Sequence, residues 1–347
     1  MSKCVQRGVV TASVSIAIFA FVVGVIHTPV SQAQSPRALE ELKDRLLPLF
    51  ELGGVVYTDA DERNGRLVVG VVNRGLETAI RARLNVLGVS SDLVDVVFSN
   101  PIVQVTSLQD YIRPIEGGLQ IRWDNYICTL GFNGVRAGTA GFVVNSHCTT
   151  KQGGVNGTKY YQPINQIAAE FIGTEIADPQ YRRALPGCSF FLKCRYSDSA
   201  FVQRDSLVPA AQGFIAKPNS VNTGSLTISS EQFRITSEGP SLVGQTVNKV
   251  GRTTGWTQGT VTNTCVNTAV SGTLIVQLCQ DFVSAGVGAG DSSSPVFAIT
   301  SGNDVQLRGI LWGGDTSGTL FVYSPIANIQ RIDELGPIST CAAGFSC

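Results

Sequence analysis

The chain has 347 residues, with 26 Lys and Arg against 26 Asp and Glu, so it carries no net charge when its histidines are neutral. That balance argues against nucleic-acid binding and against a polybasic membrane-binding face. Only 15% of residues are charged and 37 are glycine, which together with short Val/Ile/Thr-rich runs points to a turn-filled, β-rich globular body of one or two folded units.

Residues 1–33 read as an export signal. Lys3 and Arg7 supply its positive start, Gly8 to Ile26 its apolar stretch, and Ser31 to Ala33 the small residues of a cleavage site. The apolar stretch is long enough to span a bilayer, so a retained membrane anchor is the competing expectation. Cleavage implies a secreted, extracellular product; retention implies a periplasmic or membrane-anchored one.

Residues 34–116 form the second segment, without cysteine and richer in charge. In "SPRALEELKDRLLPLF" Leu39, Leu42, Leu46 and Leu47 fall on one face, which predicts an amphipathic helix opened by Ser35–Pro36. "GVVYTDADERNGRLVVGVVN" predicts two strands around a turn at Asn64–Gly65, "LETAIRARLNVLGV" a second helix and "DLVDVVFS" a third strand. The acidic turn has Arg63 where a calcium loop needs an oxygen ligand, so a plain hairpin is expected.

From residue 117 to 347 the texture is all β: short apolar runs such as "FVVN", "SAFVQ" and "GTLIVQL", separated by Gly, Asn, Thr and Ser, suggest a sandwich or barrel. Of nine cysteines, Cys4 lies in the signal. The others fall in sequential couples and are expected to pair as Cys128–Cys148, Cys188–Cys194, Cys265–Cys279 and Cys341–Cys347, which suits an exported protein. There is no C-x-x-C, and His147 is the one histidine left once His27 departs with the signal, so neither metal nor cofactor is expected.

Chemistry narrows to three places. His147 follows the apolar run of "TAGFVVNSHC" and precedes Cys148, whose bridge would hold it still. Asp198, in "CRYSDSAFVQ", enters an apolar strand, where a carboxylate needs a partner such as an imidazole donor. "GAGDSSSPVF", Gly288 to Phe297, places three serines after an aspartate. Serine is a nucleophile only beside a base.

"AGFVVNSHC", "SDSAFV" and "GDSSSP" resemble the three catalytic blocks of the chymotrypsin-like serine peptidases, in that family's order. "GRTTGWTQGTV", Gly251 to Val261, is similar to a segment of the secreted bacterial branch, the streptogrisins and alpha-lytic protease. The resemblance implies two six-stranded antiparallel β-barrels preceded by a small α/β pro-region acting as intramolecular chaperone or inhibitor. It also implies a secreted serine endopeptidase, made as a zymogen, with polypeptide substrates. Ser292 would be the nucleophile, His147 the base and Asp198 its orienting carboxylate, with an oxyanion hole from the N–H groups of Gly290 and Ser292. Asp291 would be structural, paired with a freed N-terminus from "PIEGGLQI" or with Lys249 or Arg252. Substrate would lie along Gly286, Leu311, Trp312 and Gly313, and the uncharged "VSAGVGAG" favours an apolar or small side chain before the cleaved bond. Two positions depart from the family: Ser293 replaces a glycine and Leu311 a serine. They motivate the alternative of an inactive, protease-fold extracellular binding module.

Overall fold

The computed structural model describes residues 36–183, 185 and 188–347; the export signal expected over 1–33 lies outside them. The chain divides into two compact units, Met1–Val103 and Gln104–Cys347.

The first unit comprises α1 (Pro36–Asp44), β1 (Val55–Asp61), β2 (Arg66–Val71), α2 (Glu77–Val86) and β3 (Val94–Phe98). Its sheet has the order β1-β2-β3, with β1 antiparallel and β3 parallel to β2. Leu39, Leu46, Leu67, Val69, Ile80, Leu84 and Val94 form its core. The first helix is shorter than the leucine spacing predicts. Pro48 has no N–H to continue an α-helix, so the chain tightens into a 3-10 turn over Leu47–Leu52, and Leu47 is left 61% exposed rather than on the apolar face. In the β1–β2 turn the Asp61 carboxylate accepts the backbone N–H groups of Arg63 and Asn64, both at 3.1 Å.

In the second unit β4 (Ile115–Gly117) is followed by β5 (Gln120–Trp123), β6 (Tyr126–Thr129), β7 (Phe132–Arg136), β8 (Thr139–Val144), β9 (Lys159–Tyr161) and β10 (Phe171–Ala177). The short β11 (Lys193–Arg195) and β12 (Ala200–Arg204) come next, then a crossing hairpin of β13 (Ala210–Pro218) and β14 (Ile228–Glu238). Six further strands are β15 (Thr246–Gly251), β16 (Gly255–Ala269), β17 (Ile275–Ser284), β18 (Pro295–Ser301), β19 (Asp304–Gly314) and β20 (Leu320–Pro325). A short helix, α3 (Ile326–Ile329), and β21 (Ile338–Ser339) complete the unit.

Two closed antiparallel rings result, the architecture that the resemblance implies. β6 and β7 are halves of one bent strand: β6 pairs with β5 and β7 with β8, so the ring β5-β6/β7-β8-β12-β10-β9 closes on itself. Gly131 sits at the bend, where a Cβ would lie 2.6 Å from the Val143 carbonyl. The second ring runs β15-β16-β17-β20-β19-β18 and back to β15. Closure leaves neither ring with an edge strand, which removes the aggregation hazard of unpaired backbone.

The apolar runs that are continuous rather than alternating have a structural cause. On β8, Phe142 and Val144 point into the first barrel while Val143 points into the cluster shared with the second; on β12, Ala200 and Val202 point in while Phe201 joins the shared cluster. Both faces are buried, so both need apolar side chains. The second barrel is filled by Val247, Val261, Val283, Val296, Phe321 and Tyr323. The cysteines pair as Cys128–Cys148, Cys188–Cys194, Cys265–Cys279 and Cys341–Cys347.

Contacts move the unit boundary ahead of residue 116, where sequence texture alone places it. Leu108 is fully buried in the shared cluster and its N–H donates to the Leu226 carbonyl at 3.0 Å. Within this stretch Glu116 is 4% exposed on β4, with the Gln232 amide as its side-chain donor. Burial pushes its carboxyl up to about 7. The fold therefore favours the neutral acid, a contribution present at pH below the ordinary carboxylate range and lost as pH rises through about 7. Glu116→Gln is expected to stabilise the protein at pH 8 by up to about 3 kcal/mol and to change little at pH 4, read as unfolding midpoints at the two pH values; equal midpoint shifts at both would contradict this.

Candidate active site

β8 ends at Val144, and the chain then turns through a single 3-10 turn, Ser146–Cys148, that carries His147. The Cys128–Cys148 bridge ties this turn to β6. Asp198 lies in the loop between β11 and β12. Its Oδ2 stands 2.5 Å from His147 Nδ1, and its Oδ1 accepts the His147 backbone N–H at 3.1 Å. The carboxylate side chain is 2% exposed and the imidazole 32%. Burial by itself lowers the imidazole pKa, but the charge and hydrogen bond of Asp198 outweigh it and hold His147 above its ordinary value.

Both arms rest on one buried cation. Arg195 donates to Asp178 at 2.8 Å, to Glu334 at 2.7 Å and to the Ser199 carbonyl, and none of the three charged side chains is exposed. Asp178 also accepts Ser146 Oγ at 2.9 Å, next to His147. Glu334 also accepts the Tyr196 N–H at 2.9 Å and Ser197 Oγ at 2.8 Å, next to Asp198. A buried charge with unmet partners is costly, so this set holds the two loops at fixed separation.

Ser292 comes from the other barrel, in the turn between β17 and β18. Its Oγ is 2.8 Å from His147 Nε2. The turn is built around Asp291, which is completely buried and accepts the N–H groups of Thr253 (2.9 Å), Thr254 (3.2 Å) and Gly288 (3.0 Å), and Thr254 Oγ1 at 2.6 Å. Of the partners the sequence leaves open, Lys249 is the one that meets it: Nζ lies 3.1 Å from Asp291 Oδ2, both side chains fully buried. Arg252 instead donates to Gln120 Oε1 at 2.9 Å. The "PIEGG" segment is occupied as strand β4, where the Ile115 N–H donates to the Pro209 carbonyl. Among the described residues, the N–H groups of Gly290 and Ser292 donate to no protein acceptor.

Ser293 has φ +73°, the left-handed conformation that favours glycine. Its side chain offsets the strain: Oγ accepts the buried Asn145 N–H at 2.7 Å, joining the Ser292 turn to the His147 turn. Leu311 is buried, with its carbonyl accepting the Ser293 N–H at 2.8 Å. Leu311 offers no hydroxyl, but Ser324 Oγ on β20 accepts the Asp198 N–H at 3.0 Å. Ser324 in turn donates to Gln280 Oε1, which also accepts Trp312 Nε1 at 2.9 Å.

A cavity of about 350 Å³ opens beside Ser292, walled by Val287, Gly288, Leu311 and Gly313 to Gly318. Gly286 is not on this wall; its carbonyl accepts Thr257 Oγ1 at 2.9 Å. Trp312 faces a neighbouring groove of about 480 Å³ shared with His147 and the hairpin tip Thr268 to Ser271. Asp315 is the charged residue on the cavity wall, and its oxygens are already engaged by Ser317 Oγ, Thr319 N–H (2.8 Å), Leu320 N–H (3.0 Å) and Thr319 Oγ1 (3.1 Å). These donors, Ser317 first, hold its carboxyl down at about 2.

Sequence reasoning missed Asn145, Gln280 and Ser324, because each acts through a partner far along the chain and carries no local motif.

No family model matches the chain, and no curated protein matches it. Similar solved structures include Thermobifida fusca Protease A (21% identity, covering 61% of this chain and 91% of that one, TM-score 0.44). A Nocardiopsis protease is 23% identical, covering 61% of this chain and 92% of its own, with TM-score 0.44. An alpha-lytic protease homologue, N4, is 20% identical, covering 61% and 93%, with TM-score 0.40.

Removing the cation under Asp291 tests how the turn is held. Lys249→Met is expected to destabilise the protein by about 3–5 kcal/mol, because a buried carboxylate loses its countercharge. Denaturant unfolding measures it. A loss under about 1 kcal/mol would mean that hydrogen-bond donors alone satisfy Asp291.

Proposed function

We propose that this protein is a secreted serine endopeptidase made as a zymogen, with the unit that ends at Val103 as a pro-region that assists folding or inhibits, and the unit Gln104–Cys347 as the protease. The observation that carries the proposal is the relay of 2.5 Å from Asp198 to His147 and 2.8 Å from His147 to Ser292, beside two N–H groups that have no acceptor among the described residues. The four disulfides and the export-like N-terminus support secretion.

In this reading Ser292 Oγ attacks the carbonyl carbon of the scissile peptide while its proton passes to His147 Nε2. The carbonyl oxygen takes the negative charge and is held by the Gly290 and Ser292 N–H groups. Losing one such donor typically costs about 3–4 kcal/mol of barrier. The imidazolium, stabilised by Asp198, gives its proton to the leaving nitrogen as the C–N bond breaks. Water then attacks the acyl-enzyme by the same route, His147 accepting its proton and returning one to Ser292.

The cavity beside Ser292 would take the side chain before the cleaved bond. A Cβ on Gly314 would lie 2.6 Å from Val287, so the walls approach closely, and the one carboxylate present is saturated by its own loop. Small or apolar side chains fit this lining better than Lys, Arg or Glu. The inactive-module alternative draws on Ser293, a side chain at a left-handed backbone position.

Three outcomes test the proposal. A fluorophosphonate probe is expected to label protein recovered from the medium of cells expressing the full chain. Labelling should vanish in Ser292→Ala and persist in Ser294→Ala; no labelling of wild type would support the binding module. Activity should fall as pH drops through a value above 6.5, since imidazolium cannot accept the proton. Folding stability from the same pair runs the other way, present below the unfolded imidazole pKa and lost as pH rises through the folded one. Undiminished activity at pH 4 would contradict a His147 base. Among peptide p-nitroanilides, those with Ala, Val or Leu before the anilide should be cleaved about tenfold or more faster, as kcat/KM, than those with Lys or Glu; a Lys preference would overturn the assignment of Asp315 as a loop staple.

A further inference from the structure

The "GRTTG" stretch has one threonine hydroxyl that the buried charge pair does not use. Thr254 Oγ1 faces Asp291 and Lys249, whereas Thr253 Oγ1 points away and donates to the Ala289 carbonyl at 2.6 Å. We propose that Thr253 is a positioning residue that locks the Ala289–Gly290 peptide with its N–H turned toward the oxyanion site; this rests on the hydrolase reading above.

The peptide plane needs a lock because glycine leaves it free. Gly290 has φ +97°, and a Cβ there would lie 2.8 Å from both Arg252 Cδ and Thr253 Oγ1, so the position demands glycine by conformation and by space. With no side chain to anchor it, the 289–290 plane can turn over by paired rotation about its flanking bonds, which would carry the N–H away from Ser292. In a trans peptide the carbonyl and N–H point in opposite directions. Holding the Ala289 oxygen against Thr253 therefore holds the Gly290 N–H on the opposite side, where it has no protein acceptor.

Two further contacts make Thr253 suited to the task, and two from Thr129 hold the turn beside it. Its own N–H is fixed by Asp291 Oδ1 at 2.9 Å, so the buried carboxylate sets where the hydroxyl stands. Arg252 Nη1 donates to Thr253 Oγ1 at 3.1 Å, which directs the hydroxyl hydrogen to Ala289. The next carbonyl, that of Gly290, accepts Thr129 Oγ1 at 2.9 Å from the first barrel. The Thr129 N–H also holds the Ser292 carbonyl at 2.9 Å. The oxyanion turn is thus clamped at three carbonyls, those of Ala289, Gly290 and Ser292, and Thr253 supplies the one that sets the orientation of the Gly290 N–H.

The test compares Thr253→Val, which keeps the shape and loses the donor, with Thr253→Ser, which keeps the donor. A peptidyl trifluoromethyl ketone measures the oxyanion site, because its hemiketal oxygen is charged only in the adduct; the matching peptide acid measures ground-state binding. Thr253→Val is expected to bind the ketone about tenfold more weakly and to lose a similar factor in kcat, with acid binding and KM unchanged. Thr253→Ser should stay within about threefold of wild type. Wild-type ketone affinity in Thr253→Val, or equal losses in both variants, would overturn the clamp. Failure of wild type itself to bind the ketone or take up a fluorophosphonate would instead remove the hydrolase reading, and the clamp with it.

Discussion

The carboxylate of Asp291 is the constraint on which the site depends. It lies wholly out of water, so it must be met by charge and by hydrogen bonds, and it is met by Lys249, three backbone N–H groups and a threonine hydroxyl. Those partners come from β15, from the residues just after it and from the turn itself, so satisfying one charge folds Gly288 to Ser294 around it. The glycine at 251 follows from this crowding: a Cβ there would sit 2.5 Å from Asp291 Oδ1 and 2.2 Å from Ser294 Oγ. Lys249 belongs to the same barrel as the turn, so the turn is complete without a new chain terminus.

The first barrel solves the same problem with a different ion. Arg195, fully buried between Asp178 and Glu334, fixes the loops on either side of it, and each of its two carboxylates reaches a neighbour of a site residue. The two braced halves then meet across the shared apolar cluster and through hydrogen bonds at the site. Ser293 Oγ bonds the Asn145 N–H, and Thr129 bonds the Ser292 carbonyl. This explains how Ser293 holds a left-handed backbone: its side chain satisfies a buried donor on the other barrel, which offsets a backbone cost of similar size.

Much of this was legible in the sequence because scarce residue types mark it. One histidine remained for a base and it lay beside a cysteine, and Asp198 enters an apolar strand where a carboxylate needs a partner. The choice of Ser292 among three serines, by contrast, rested on the resemblance to a known family. The barrels were legible as short runs between turn residues. Leucine spacing extends the first helix past Pro48, where the chain instead tightens into a 3-10 turn. Residues 104–116 resemble the first unit in texture, yet Leu108 is buried in the second by partners far along the chain. The choice between Lys249 and Arg252 depends on which strand positions face the buried carboxylate, and neighbouring basic residues look alike in one dimension. Thr129, Gln280 and Ser324 were invisible for the same reason, since their meaning lies in contacts across barrels.

The central claim is that His147 and Ser292 act as one unit across the seam. It is tested most directly by comparing kcat for His147→Ala, Ser292→Ala and the double variant on one peptide p-nitroanilide. Groups that act together are lost together. The account expects each single variant to fall to the same floor and the double to fall no further. Losses that multiply in the double variant would mean that the two side chains contribute separately, and the relay between them would have to be given up.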